Sequence, residues 1–141
     1  MKVYTQEELD QAIKDGLIDF RGAKLYNKTF HARDLRNADF HGAGLCQSKF
    51  YKADLRGAVF DFADLWDTVF ESCRLDGAHF EGAKLDSTRF KGSNLSNANF
   101  VGAVFGRNAH ICLKEPWHLQ GVDLSGAEIF HGWVLKRKNE S

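Results

Sequence analysis

The sequence predicts an all-β fold, a four-sided β-helix built from five-residue repeats. From Phe20 to Phe105 every fifth residue is Phe or Leu, which gives eighteen consecutive matches. The residue two positions earlier is mostly Ala, Ser, Thr or Cys, and the remaining three positions are mostly polar, charged or Gly. A period of five fits neither an α-helix, at about 3.6, nor a strand, at about two. We therefore expect a backbone that turns a corner every five residues and closes a coil every twenty.

The large inward residues alternate between Phe and Leu, and this alternation predicts the interior. Four sides per coil place the alternating Phe residues from Phe20 to Phe100 on two opposite sides and the Leu residues on the other two. One side then carries Phe20, Phe40, Phe60, Phe80 and Phe100, and the opposite side carries Phe30, Phe50, Phe70 and Phe90. Each layer holds two Phe and two Leu, so its volume stays constant and aromatic columns form along the axis.

The repeats resemble the motif of the pentapeptide repeat family, a small residue followed by Asp or Asn and then Leu or Phe. Ala38-Asp39-Phe40, Ala53-Asp54-Leu55 and Ala98-Asn99-Phe100 are close matches, and the resemblance covers about 16–135. It implies a right-handed quadrilateral β-helix of about five coils. Among relatives, quinolone- and peptide-toxin-resistance proteins bind DNA gyrase and are described as mimics of duplex DNA, and some members dimerise through their C-terminal ends.

The ends of a solenoid need covering, because they expose unpaired backbone groups. Thr5 and Glu8 have the spacing of a capping box, which predicts a helix over about 6–15 on the first coil. Lys28 and Arg33 stand in the small-residue column, and we expect them to reach past this lid to water because buried cations are costly.

A break in the repeat follows Phe105, because the pattern resumes in a new frame at Leu119 and Leu124. The change of frame corresponds to four inserted residues, which form either a binding loop or a simple bulge. The predicted organisation is an N-terminal capping helix at 1–15, a regular β-helix at 16–105, an insertion at 106–118, a final coil and C-terminal cover at 119–135, and a basic tail at 136–141.

The composition argues for an interaction protein without catalytic or metal chemistry. Nineteen basic and nineteen acidic residues leave no net charge, which argues against direct nucleic-acid binding. Three separated cysteines fit a reducing compartment, and no signal peptide or membrane segment is evident, so we expect a cytoplasmic protein. No catalytic constellation appears, and we expect no enzymatic activity, no cofactor, no metal and no membrane partner.

Three sets of residues depart from what packing alone requires. The coils at 58–90 have seven acidic and three basic residues, and exposed aromatics beside carboxylates favour partner binding. The predicted partner surface is Asp61, Phe62, Asp64, Trp66, Asp67 and Glu71. Candidate contacts from the insertion are Arg107, His110, Trp117 and His118. Candidate contacts of a homodimer through the C-terminal end are Phe130, Trp133 and Leu135.

The function predicted from these features is a noncatalytic protein-interaction module that binds a DNA-handling enzyme such as DNA gyrase. A rod with a partly acidic, DNA-like surface would modulate a topoisomerase in this way. Two alternatives stay open at this point. One is a phage or mobile-element inhibitor of another nucleic-acid enzyme or host defence complex, and the other is a structural scaffold with no DNA-related partner.

Overall fold

The computed structural model describes residues 2–106, 108–109 and 120–127. Within them the chain forms one helix and four three-residue strands, and the strands make a parallel sheet in the order β1-β2-β3-β4. These elements are α1 (Gln6–Lys14), β1 (Thr29–His31), β2 (Lys49–Tyr51), β3 (Val69–Glu71) and β4 (Arg89–Lys91). In the described part of the chain no helix is long and apolar enough to cross a bilayer.

The coils stack with a period of twenty residues, which confirms the predicted four-sided β-helix. Phe50 pairs with Phe30 below it and with Phe70 above it. On the other sides the stacking consists of isolated parallel bridges such as Asp39 with Val59. We number the sides by the inward residues of one coil. Side 1 carries Phe60, side 2 Leu65, side 3 Phe70 and side 4 Leu75.

The interior consists of two stacked aromatic columns that meet edge to face. On side 1 neighbouring ring centroids are 4.7–5.0 Å apart and nearly parallel. On side 3 they are 4.3–5.2 Å apart. Rings of opposite sides lie 5.4–6.0 Å apart and nearly perpendicular. The predicted two-column interior is therefore correct, and both offset-stacked and edge-to-face pairs contribute to it.

Inward hydroxyl groups are satisfied by the backbone of the preceding coil. On side 3 the hydroxyls of Ser48, Thr68 and Thr88 donate to the carbonyls 23 residues earlier at 2.6–2.7 Å. A buried hydroxyl without such a partner would destabilise the fold, so these contacts explain why Ser and Thr replace Ala in this column.

The N-terminal segment covers the first coil as a lid. Thr5 and Glu8 form the capping box of α1, and Leu9 is fully buried against the core. The amide group of Gln6 accepts a hydrogen bond from the Thr29 backbone at 2.9 Å and donates to its carbonyl at 2.8 Å. This side chain therefore pairs with the free edge of β1 in the place of a missing strand.

The cations predicted to reach past the lid are both half-buried. The Arg33 guanidinium forms an ion pair with Asp10 of α1 at 3.2 Å. Because a partly buried cation is costly unless paired, this contact attaches the lid to the coil instead of leaving Arg33 to water alone. The first coil pairs with the second in the regular way, as Asp19 with Asp39 shows.

After side 2 of the fifth coil, where Val104 still pairs with Lys84, the spacing between stacked residues changes from 20 to 24. Asn99 pairs with Asp123, and the backbone of Phe100 donates to the Asp123 carbonyl at 2.8 Å. Four extra residues are therefore accommodated before the stacking resumes, the number that the change of frame predicts. The Ala127 backbone donates to the Leu124 carbonyl at 3.0 Å, as the corresponding residues do one coil below.

Candidate functional site: an acidic aromatic corner

The middle coil carries two of the most exposed aromatic side chains of the described chain. Phe62 is 57% exposed at the corner between sides 1 and 2, and Trp66 is 46% exposed on side 2. Asp61, Asp64 and Asp67 stand beside them in the same coil. We call these five residues the aromatic corner. The chain turns around them so that all five side chains point away from the core.

Phe62 occupies a backbone conformation that side chains rarely adopt. Its φ is 57°, in the left-handed region. A bulky residue in this region is strained by about 1 kcal/mol or more, whereas Gly is not. The corresponding corners of the other described coils are all glycines, with φ of 62–66°: Gly22, Gly42, Gly82, Gly102 and Gly126. Packing and backbone geometry therefore favour Gly at position 62, and Phe stands there in spite of them.

Contacts on both neighbouring coils hold the Phe62 ring in place. The His41 ring of the coil below lies 5.5 Å from it, at 60° between the planes. In the coil above, Gly82 lies against the Phe62 ring, and a Cβ atom at Gly82 would overlap with that ring. The glycine thus leaves room for the aromatic ring, and these contacts hold the ring against the surface while one face stays exposed.

Trp66 belongs to an outward column on side 2 that also contains Tyr26 and Cys46. Tyr26 is 49% exposed, and its ring lies over Gly44. Burial, and after it the nearby Asp64 carboxylate, raises the pKa of Cys46 to about 11. The thiol between the two aromatic positions is therefore protonated at neutral pH, and the same column continues one coil later with the carboxylate of Asp86.

The carboxylates of the aromatic corner have no ion pair among the described residues. Asp61 accepts a hydrogen bond from the Glu81 backbone at 2.8 Å, and Asp64 accepts one from the Trp66 backbone at 3.2 Å. Elsewhere the pattern differs, because arginines two residues later pair with the carboxylates of the Asp column. Such pairs are Asp19 with Arg21, Asp34 with Arg36 and Asp54 with Arg56, at 2.7–2.9 Å.

These arginines lower the pKa of the aspartates beside them. The pKa of Asp34 falls to about 2, chiefly because of the side-chain hydrogen bond from Arg36. The carboxylates of the aromatic corner are instead left with their negative charge uncompensated by a neighbour. The corner therefore combines apolar surface with free acceptors, a combination that suits a basic partner surface.

The structure separates one residue from the predicted partner surface. Glu71 lies on β3 of side 3, where it approaches Lys91 at 3.7 Å. The corner at 66–67 stands between it and Trp66, so the two residues lie on adjacent sides of the rod. The other five predicted residues do lie together. The insertion candidates Arg107, His110, Trp117 and His118 lie outside the described residues, as do the dimer candidates Phe130, Trp133 and Leu135.

Sequence reasoning included Phe62 in the predicted partner surface but did not identify its unusual corner position. The sequence contains a signal for it, because the residue two positions after each Phe of side 1 is Gly in every described coil but one.

As for metal chemistry, the described ranges contain no group of three His, Cys, Asp or Glu side chains placed to hold an ion.

Comparison with known proteins supports the assignment of the fold. The family model described as Pentapeptide repeats matches in eight copies, over residues 18–51, 39–77, 53–92 and 73–107. Among curated proteins the search finds no match. A pentapeptide repeat protein of the Arabidopsis thaliana thylakoid lumen is 35% identical with a TM-score of 0.50. That alignment covers 59% of this chain and 61% of the relative, which is less than two thirds of its length.

Two further solved structures match this chain with TM-scores below 0.5. A pentapeptide repeat protein from Nostoc is 26% identical with a TM-score of 0.49, over 91% of this chain and 98% of that one. A trypsin-treated variant of QnrB1, a plasmid-mediated fluoroquinolone resistance protein, is 20% identical with a TM-score of 0.35, over 80% of this chain and 65% of that one.

Proposed function

The chain belongs to the pentapeptide repeat family, and we propose on that basis that it is a noncatalytic protein-interaction module. The aromatic corner is its contact surface. The single observation that carries this proposal is the exposed Phe62 in a column of corner glycines. Strained positions of this kind are concentrated at functional sites.

The chemistry of the corner indicates the class of partner. Exposed Phe and Trp side chains supply the large, rigid contact area typical of binding hot spots. The surrounding carboxylates of Asp61, Asp64 and Asp67 favour a positively charged partner surface. We propose a DNA-handling enzyme in the cytoplasm, such as DNA gyrase, because its basic DNA-binding surface normally accepts a rod with regularly spaced negative charges.

A pull-down from the native host identifies the partner, and two variants locate the contact. Phe62→Gly removes the ring and introduces the residue that the other coils have at this corner, so it leaves the fold intact. Trp66→Ala removes the second ring. We expect each to weaken capture by about tenfold or more, as is typical for a hot-spot aromatic.

The matched control is Tyr51→Ala together with Glu71→Gln. This variant also removes an aromatic ring and a carboxylate, but from side 3. Capture should match that of the unchanged chain. If the control variant loses the partner while Phe62→Gly and Trp66→Ala retain it, the aromatic corner is not the contact surface.

The proposal that DNA gyrase is the partner has a separate test. Purified chain at micromolar concentration should change DNA supercoiling by gyrase, with or without a quinolone, and Phe62→Gly should reduce the effect. No change in supercoiling would remove gyrase as the partner. Recovery of a different nucleic-acid enzyme would then favour an inhibitor of that enzyme, and recovery of unrelated proteins would favour a scaffold.

A further inference from the structure

The chain has no net charge, but its acidic and basic side chains are concentrated on two opposite sides of the rod. Among the described residues, side 1 presents five carboxylates and one cation on its outer surface: Asp19, Arg21, Asp39, Asp61, Glu81 and Asp123. In the same ranges, side 3 presents four cations and one carboxylate: Lys49, Lys52, Glu71, Arg89 and Lys91. Sides 2 and 4 lie between them, and on side 4 the charges largely neutralise one another through local ion pairs.

Most of these charges have no ion-pair partner among the residues that the structure describes. On side 3, Lys91 approaches Glu71 at 3.7 Å, and the other three cations form no ion pair with a described residue. On side 1, Arg21 pairs with Asp19 at 2.9 Å and approaches Asp39 at 3.8 Å. Asp61, Glu81 and Asp123 are left without a cation in the described part of the chain.

We propose that side 3 of one molecule docks on side 1 of a second copy, so that the rods associate side by side. The occupant follows from complementarity in charge and in spacing. Both sides are built on the same coils, so their charges recur at the same interval of about 4.8 Å per layer. Translation of one rod beside another, without rotation, brings the basic layers of Lys49 and Arg89 opposite the acidic layers of Asp39 and Glu81.

This geometry determines what kind of assembly forms. The two contacting surfaces are different, so each added copy leaves one free acidic side and one free basic side. Such a heterologous contact does not close into a dimer and extends into an open row. A homodimer through the C-terminal end would instead stop at two copies. The proposal is independent of the aromatic corner and of its partner.

The first test is the apparent molar mass of the full chain, measured by light scattering over a tenfold range of concentration. The Debye length is about 30 Å at 0.01 M salt and about 3 Å at 1 M. We expect the apparent mass to rise by about twofold or more at the low salt concentration without a plateau at two copies. At about 1 M salt the mass should be that of a monomer.

A charge-swap variant tests which sides are responsible. Asp61→Lys, Glu81→Lys, Lys49→Glu and Arg89→Glu in one chain leave the net charge at zero but remove the complementarity. This variant should remain monomeric at low salt. The matched control swaps charges on the other two sides, Arg74→Glu with Asp86→Lys, and should associate like the unchanged chain. Circular dichroism confirms that both variants are folded.

Several results would overturn the proposal. A monomer at about 0.01 M salt would do so in the unchanged chain, whether or not the variants fold. A plateau at two copies would point to a closed dimer instead. Equal association of the charge-swap variant would show that the two sides are not the contact. Binding of duplex DNA by a chain that stays monomeric at low salt would assign the basic side to a polyanion.

Discussion

Truncation of a central aromatic residue tests the packing on which the whole rod depends. The Phe60 side chain is fully buried, and its ring stacks on those of Phe40 and Phe80 at 4.9 and 5.0 Å. The rings of Phe50 and Phe70 meet its edges at 5.9 and 5.4 Å. Substitution by Ala removes about 2 kcal/mol of burial free energy and leaves a cavity that costs about as much again.

The cavity cannot close easily, because backbone hydrogen bonds hold the neighbouring coils at their spacing. The Phe60 backbone donates to the His79 carbonyl at 2.7 Å, and the Phe40 backbone donates to the Val59 carbonyl at 2.7 Å. We therefore expect Phe60→Ala to lower the free energy of unfolding by about 3–5 kcal/mol. For a urea m value of about 2 kcal/mol/M, the unfolding midpoint falls by about 2 M.

The assay is urea unfolding followed by circular dichroism at one temperature, with Phe62→Ala as the matched control. The control removes the same ring from the surface, so its free energy of unfolding should change by about 1 kcal/mol or less. A loss below about 1 kcal/mol for Phe60→Ala, similar to that of the control, would contradict the packed aromatic columns. A free energy of unfolding for Phe60→Ala equal to that of the unchanged chain, because the adjacent coils close the cavity, would also contradict them.

Three further predictions concern the surface. Gly82→Ala should destabilise more than Gly102→Ala, because both take a left-handed φ but only the first displaces the Phe62 ring; urea unfolding measures the difference. Cys46, with a pKa of about 11 rather than 9.0, should react with iodoacetamide about 100-fold more slowly than a free thiol at pH 8, and faster as pH rises. Asp34 has a pKa lowered to about 2, so its stabilising effect is present above about pH 4 and lost as pH falls through 2. The melting temperatures of the unchanged chain and Asp34→Asn should therefore converge between these pH values.

The interior could be predicted from the sequence because it repeats a local rule. One inward Phe or Leu and one inward small residue recur in every five, and a coil of twenty fixes which of them stack. Phe60 could thus be placed between Phe40 and Phe80 from spacing alone, and the rings occupy those places. The N-terminal helix could also be predicted, because its capping box is a contact between residues three apart in the sequence.

The surface could be predicted less well, because its neighbours are far apart in sequence. Glu71 is only five residues from Trp66, and this closeness suggested one patch. A corner every five residues instead puts it on another side, beside Lys91, twenty residues later. The separation of charge between sides 1 and 3 could not be predicted from the linear sequence for the same reason, because the residues of one side are twenty positions apart. Counting along 58–90 averages over all four sides, whereas binding depends on each side separately.

Phe62 is a stronger candidate for partner contact than Trp66, although both are exposed. Trp66 stands at an outward position where any residue fits the backbone, so its presence could be incidental. Phe62 holds a left-handed corner at a cost of about 1 kcal/mol that Gly would avoid. Nine other non-glycine residues of the described chain also have a positive φ, but Phe62 is the one aromatic residue among them, and the exposed face of its ring is available to a partner. If a single aromatic ring carries the interaction, Phe62→Gly should lose the partner while becoming no less stable.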